Sequence, residues 1–189
     1  MSDIVIAAAK RTAIGSFLGQ FTGVPSPTLG AAAISAALEQ SGVPAADVSE
    51  VIMGCVLSAN LGQAPARQAS LAAGLPTSAG ATTINKVCGS GMKAIMLGHD
   101  LIKAGSATVV VAGGMESMTN APHLIPNSRT GNRFGNFQAV DHMSWDGLVN
   151  PYDGQAMGVF AEATAEKYGF TREAQDAYSI ESPICWRRY

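Results

Sequence analysis

Charge is scarce in this sequence. Of 189 residues only 14% are charged, 12 basic and 14 acidic, giving a net charge of -2, whereas an ordinary soluble domain carries roughly 25%. No basic run is present that could neutralise a phosphate backbone, so nucleic acid is excluded as a partner. Long apolar runs are missing as well. Stretches such as Leu29–Leu38 and Ala107–Ala112 fall well short of the roughly 20 residues that cross a bilayer, which excludes a membrane span. Met1–Lys10 has no basic leader before its apolar run and no cleavage region after it, so the expected location is the cytoplasm. Cys55, Cys88 and Cys185 are far apart and odd in number. They fit neither a disulfide framework nor a C-x-x-C knuckle, and no metal site is expected.

What is present is apolar and small. Hydrophobic residues make up 47% of the chain, enough to exclude disorder and to build a sizeable core. Together with the low charge, this implies that a second copy or further sequence covers part of the surface. The 21 glycines, with abundant alanine, allow elements to pack closely and backbone to approach a ligand.

The hydrophobic pattern predicts β-α-β-α-β-α-β. The strands are Ile4–Ala8, Val51–Val56, Ala81–Asn85 and Thr108–Ala112. The helices are Leu29–Gln40, with Ser26 as N-cap, Pro27 in the first turn and Gly42 at its end; Pro65–Ala73, stopped by Gly74 and Pro76; and Gly89–Ala104, stopped by Gly105. Continuous Val, Ile and Ala in the strands predicts burial on both faces of a mostly parallel sheet, hence a layered α/β domain. Thr119–Gly154 lacks periodicity and is expected to be a long functional or oligomeric loop. Helices follow at Ala156–Tyr168 and from Thr171, as N-cap, to about Ser182, where Pro183 disfavours continuation.

The most specific string is Asn85-Lys86-Val87-Cys88-Gly89-Ser90-Gly91-Met92-Lys93, which sets a cysteine between a buried strand and a glycine-started helix. A thiol at a helix N-terminus gains from unsatisfied N–H groups and the positive end of the dipole, so Cys88 is the candidate nucleophile. The competing reading is a small buried hydrophobe. No base accompanies it: His99 lies eleven residues further along the same helix, roughly 16 Å away, and His123 and His142 read as ordinary structural or surface histidines. Gly113-Gly114 at a strand end suits a tight turn beside a ligand or a plain structural turn. Glu116 alone does not indicate acid-base work, and no dinucleotide fingerprint follows the glycines, so a nicotinamide cofactor is disfavoured.

These strings resemble the thiolase family of acyl-CoA C-acetyltransferases, in its N-terminal half, from Ile4 to about Ser182. The resemblance is carried by Ala9-Lys10-Arg11-Thr12, Val51-Ile52-Met53-Gly54, Gly62-Gln63 with Pro65-Ala66-Arg67-Gln68, the string around Cys88, and Gly113-Gly114-Met115-Glu116-Ser117-Met118-Thr119-Asn120-Ala121-Pro122. It implies a thiolase-like α/β fold of two similar β-α-β-α-β-α-β-β halves with a loop domain inserted in the first. Here that divides the chain into an incomplete N-terminal domain, 1–118, a partial loop domain, 119–182, and an unrelated tail, 183–189. It also implies that Cys88 is acylated by an acyl-CoA, with its N–H helping to hold an oxyanion. The second step is Claisen condensation with acetyl-CoA, or its reverse, thiolysis. Asp146-Gly147-Leu148 and Met157-Gly158 match strings that line the pantetheine path, making Leu148 and Met157 the coenzyme A-binding residues. No cofactor is implied beyond the coenzyme A thioester itself, and the family partner is a second copy in a homodimer or tetramer, with Ser128–Gln138 as the candidate tetramer contact.

Two departures stand out. Ala156 occupies a position where many members carry histidine. The family's asparagine-histidine-glutamate, glycine-histidine-proline and cysteine-glycine-glycine motifs are not in this sequence, and Cys185 is followed by Trp186 rather than glycines. The expectation is therefore a chain cut short and inactive by itself. A non-catalytic fragment or interaction module is the alternative, and a ketosynthase-like condensing enzyme fits less well.

Overall fold

The computed structural model describes residues 3–186, with side chains as far as Ser182. By internal packing it divides into two compact units, Met1–Gly147 and Leu148–Tyr189. The first carries α1 (Ser26–Ser41), β1 (Glu50–Gly54), α2 (Pro65–Ala72), β2 (Gly80–Ile84), α3 (Ser90–Lys103) and β3 (Val110–Gly114). Its sheet is parallel, in the order β2-β1-β3. Register is in step across the sheet: Gly54 sits opposite Ile84 on one side and Gly114 on the other.

From β1 the chain crosses to one edge through α2, then back over β1 to the other edge through α3. Parallel crossovers are right-handed, so the two helices must lie on opposite faces. The packing agrees. Val51 and Met53 on one face of β1, with Cys55 just past its end, join Ile34 of α1 and Ala66 and Ala69 of α2 in the principal core. On the other face, Gly54 meets the start of α3, and Gly98 of α3 packs on Val110 and Ala112 of β3. The layers are thus α1 and α2, the sheet, and α3, the α/β architecture expected.

Several boundaries fall where the sequence places them. Gly42, Gly74 and Gly105, past the ends of α1, α2 and α3, have φ of 66°, 85° and 75°, the left-handed geometry that ends helices on glycine. Other expectations are corrected. Ser26 is not an N-cap: α1 begins at Ser26 with Pro25 in the cap position. Ile4–Ala8 is not a strand. The segment has no regular structure and pairs with nothing among the described residues, leaving Val5 and Ile6 76% and 78% exposed. A strand exists only through its partners, and the sheet offers this segment no ladder. Burial on both faces holds for β1, whereas β2 and β3 are only partly covered. The last strand runs to Gly114 rather than Ala112, because its register with β1 continues through both glycines.

The irregular stretch after β3 holds only a two-residue pair, β4 (His123–Leu124) with β5 (Val140–Asp141), a short 3-10 turn at Ser128–Thr130 and a π-helical turn at Ser144–Leu148. In the second unit a tight turn closes with the Asn150 N–H donating to the Gln155 carbonyl at 2.8 Å. It leads into α4 (Met157–Tyr168) and α5 (Arg172–Trp186). Thr171 caps α5, its Oγ accepting from the Ala174 N–H at 3.2 Å. The helix does not stop at Ser182. Proline forfeits one N–H bond and biases the residue before it without forbidding a helix, and α5 continues through position 183 to Trp186. Of the tail, 187–189 lie outside the described residues.

Candidate active site

Three strand ends and one helix start build the site. Cys88 lies just past β2, at the carboxyl end of the parallel sheet where α/β folds bind ligands, and its side chain is exposed. It is not the small buried hydrophobe of the competing reading. Gly89 caps α3 with φ of -87°.

Backbone contacts fix the height of this turn. A Cβ at Gly54 would stand 2.5 Å from the Ser90 Cβ and 2.9 Å from the Gly91 nitrogen, so only glycine fits there. At Gly114 a Cβ would lie 3.4 Å from the Gly91 Cα and 3.5 Å from the Gly54 carbonyl oxygen. The first turn of α3 therefore rests almost directly on the ends of β1 and β3. Gly113 and Gly114 make no turn, contrary to both sequence readings of the pair. They are extended, and of the two it is Gly114 that provides close approach.

The turn itself is held by short polar bonds. Ser90 Oγ accepts from the Lys86 N–H at 2.8 Å and donates to the Val87 carbonyl at 2.6 Å. The Val87 N–H donates to Asn85 Oδ1 at 2.9 Å, and the Gly89 N–H to the Lys86 carbonyl at 3.1 Å. Within α3 the Lys93 N–H reaches the Gly89 carbonyl at 2.9 Å, and the Ser90 N–H the Val87 carbonyl at 3.1 Å. The N–H groups of Cys88, Gly91 and Met92 carry no such bond among the described residues. Unpaired donors at a helix start are suited to stabilising negative charge on a thiolate or an oxyanion.

No other side chain expected from sequence to be a possible base joins this turn. His99 faces solvent beside Asp100, at 3.1 Å, and His123 sits exposed in β4. His142 is 6% exposed and fully engaged: its Nε2 accepts from the Ala59 N–H at 3.3 Å, which leaves Nδ1 to donate to Asp146 at 2.5 Å. It ties the loop after β1 to the Ser144–Leu148 turn, a structural task. Glu116 has a similar task, which sequence reasoning missed. Its carboxylate accepts from the Val56 N–H at 2.8 Å and the Leu57 N–H at 2.9 Å, and the Cys55 thiol donates to it at 3.7 Å. Burial, then the Glu116 charge and hydrogen bond, push the Cys55 thiol up from the ordinary 9.0 to about 12. Cys55 is inert.

Residues 4–186 match the thiolase N-terminal domain family. The chain belongs to that family. Among relatives of this thiolase chain, the acetyl-CoA acetyltransferase of Pseudomonas aeruginosa is 54% identical over 182 residues, covering 96% of this chain and 46% of that protein. Acetyl-CoA acetyltransferase 2 of Arabidopsis thaliana is 52% identical over 180 residues, covering 95% and 45%. Among solved structures, the Acat5 thiolase from Ascaris suum, in complex with coenzyme A, superposes with a TM-score of 0.90 at 43% identity over 97% of this chain and 48% of that one. The chain spans about half the length of the curated relatives it matches. Leu148 and Met157 fall in the second unit, each with a substantial part of its side chain exposed.

Proposed function

We propose that this chain supplies the acyl-accepting half of a thiolase-type acyltransferase, with Cys88 as the nucleophile. The observation that carries the proposal is the exposed thiol at the start of α3, beside unpaired N–H groups, in a chain of the thiolase family. The Cys88 sulfur attacks the thioester carbonyl of an acyl-CoA and forms a new thioester. The bond to the coenzyme A sulfur breaks, and the thiol proton passes to that departing sulfur, so the step is balanced without an added base. The Cys88 N–H donates to the oxyanion formed on the way. Condensation of the acyl-cysteine with acetyl-CoA, or its thiolysis by coenzyme A, completes the cycle. Leu148 and Met157 are the proposed coenzyme A contacts, and the thioester is substrate, with no further cofactor. Homodimeric or tetrameric assembly and a place in fatty acid metabolism rest on the resemblance alone; a cytoplasmic location rests on the sequence expectation alone.

A second reading, a non-catalytic interaction module, is favoured by α3. Met92, Ile95 and Met96 leave an outward apolar surface on that helix, of the kind that another protein surface covers. One experiment separates the two readings: intact-mass spectrometry of the chain after incubation with acetyl-CoA, with Cys88→Ser as control. A single acetyl group on the wild-type chain, absent from the variant, is expected. A folded chain that takes none leaves the interaction module as the better account.

A further inference from the structure

We propose that Asn85 and Ser90 are positioning residues for Cys88: they hold Val87 in a left-handed conformation, and through it fix where the Cys88 N–H and thiol point. The inference rests on the proposed role of Cys88. Val87 has φ of 47°, and among the described non-glycine residues with positive φ it is the β-branched one, beside Leu18, Asn60, Ala64 and Asn127. Such a residue is strained there. Packing does not compensate, since Val87 is 50% exposed.

Its peptide groups are held instead. The Val87 N–H goes to Asn85 Oδ1, and the Val87 carbonyl accepts from both the hydroxyl and the N–H of Ser90. The same hydroxyl accepts from the Lys86 N–H, one residue earlier. Ser90 is buried, and its Cβ is seated over Gly54, where a side chain would stand 2.5 Å from it. The clamp therefore has a fixed base on the sheet. Because ψ of Val87 sets the plane of the peptide that carries the Cys88 N–H, relaxation to a right-handed conformation would swing that donor away from the thiol's reaction path. Two side chains that touch no substrate thus decide the geometry of one that does.

Glycine adopts positive φ without assistance, which supplies the test. In the full chain, Ser90→Ala is expected to slow acetylation of Cys88 by acetyl-CoA about tenfold and Asn85→Ala about threefold, as misplacement of a reacting group does. Adding Val87→Gly to either variant is expected to restore the rate to within about twofold of wild type. A merely structural role for Ser90 would not be rescued in this way. Failure of the rescue in a chain with unchanged circular dichroism, or unchanged rates in both single variants, overturns the clamp. Asn85 is exposed, so Asn85→Ala carries the test should Ser90→Ala not fold. Should the wild-type chain take no acetyl group, the proposed function falls while the clamp is still decided by NMR. A left-handed Val87 gives a strong intraresidue HN–Hα Overhauser peak. That peak is expected in wild type and weakened in the single variants, and its persistence in them overturns the clamp.

Discussion

Cys55 and Cys88 each follow a strand of the same parallel sheet, yet they are opposite kinds of thiol. Cys55 comes directly after β1, is 2% exposed and faces the Glu116 carboxylate, so its proton is held tightly. Cys88 comes four residues after β2, is exposed, and has unpaired N–H groups rather than a carboxylate for neighbours. The contrast teaches that a strand end does not by itself set the character of a thiol. Burial and the sign of the nearest partner decide, and both are set by a few neighbouring residues.

The sharpest way to break this comparison is peptide-resolved labelling with iodoacetamide at about pH 8. A pKa of about 12 rather than 9.0 leaves Cys55 roughly a thousandfold less thiolate than an ordinary thiol, and burial slows it further. Cys88 is expected to label at least about a hundredfold faster. Comparable rates would remove the distinction. Next in size is the floor under Cys88. Gly54→Ala drives a methyl against the Ser90 Cβ and the Gly91 nitrogen and is expected to cost about 2–3 kcal/mol in urea unfolding, as overpacking against backbone does. Gly114→Ala makes only tight to ordinary contacts and is expected to cost less; equal losses would refute the close-contact account.

On the Cys55 side, Glu116→Gln leaves one acceptor for two backbone N–H groups, an expected loss of about 1–3 kcal/mol, with faster labelling of Cys55. Unchanged labelling would mean that Glu116 contributes nothing to the thiol's inertness. The same thiol sets a pH dependence. Its folded pKa lies above the unfolded one, so the folded state binds the extra proton between about pH 9 and 12, and stability is lost as pH rises through that window. Cys55→Ala should flatten this slope in thermal melts, and an unaltered slope would assign it elsewhere. The smallest effect is at α5. Thr171→Ala removes the cap, for about 1 kcal/mol. It also lets the Glu173 carboxyl, held low by its own backbone N–H and by Thr171, drift back up, which a carbon-detected NMR titration would read.

The α/β class, the three helices of the first unit and the placement of Cys88 between β2 and α3 were legible because each leaves a local mark: apolar runs, glycine stops, and a cysteine among glycines. What stayed hidden depends on partners distant in sequence. Ile4–Ala8 reads as a strand by composition, yet pairing decides, and nothing in five apolar residues reveals that they pair with no other described residue. Glu116 acts on Val56 and Leu57, some sixty positions away, and His142 on Ala59, so spacing gave no signal for either clamp. The work of Gly54 and Gly114 was missed for a related reason. Glycine in a strand suggests a turn or a bulge, and only the position of α3 shows that the missing Cβ atoms make room for Gly91 and Ser90. A pattern of glycine at the ends of two neighbouring strands and again at a helix start is the clue that was available.

Contact between Gly54, Gly114 and Gly91 has one more consequence. Elsewhere the layers meet through side chains such as Met53 and Met115, which can change rotamer and absorb a substitution or a rise in temperature. Where main chain touches main chain there are no rotamers to redistribute. The depth of Cys88 above the sheet is thereby insulated from the plasticity of the core behind it, so drift in the interior can proceed while the exposed sulfur keeps its elevation.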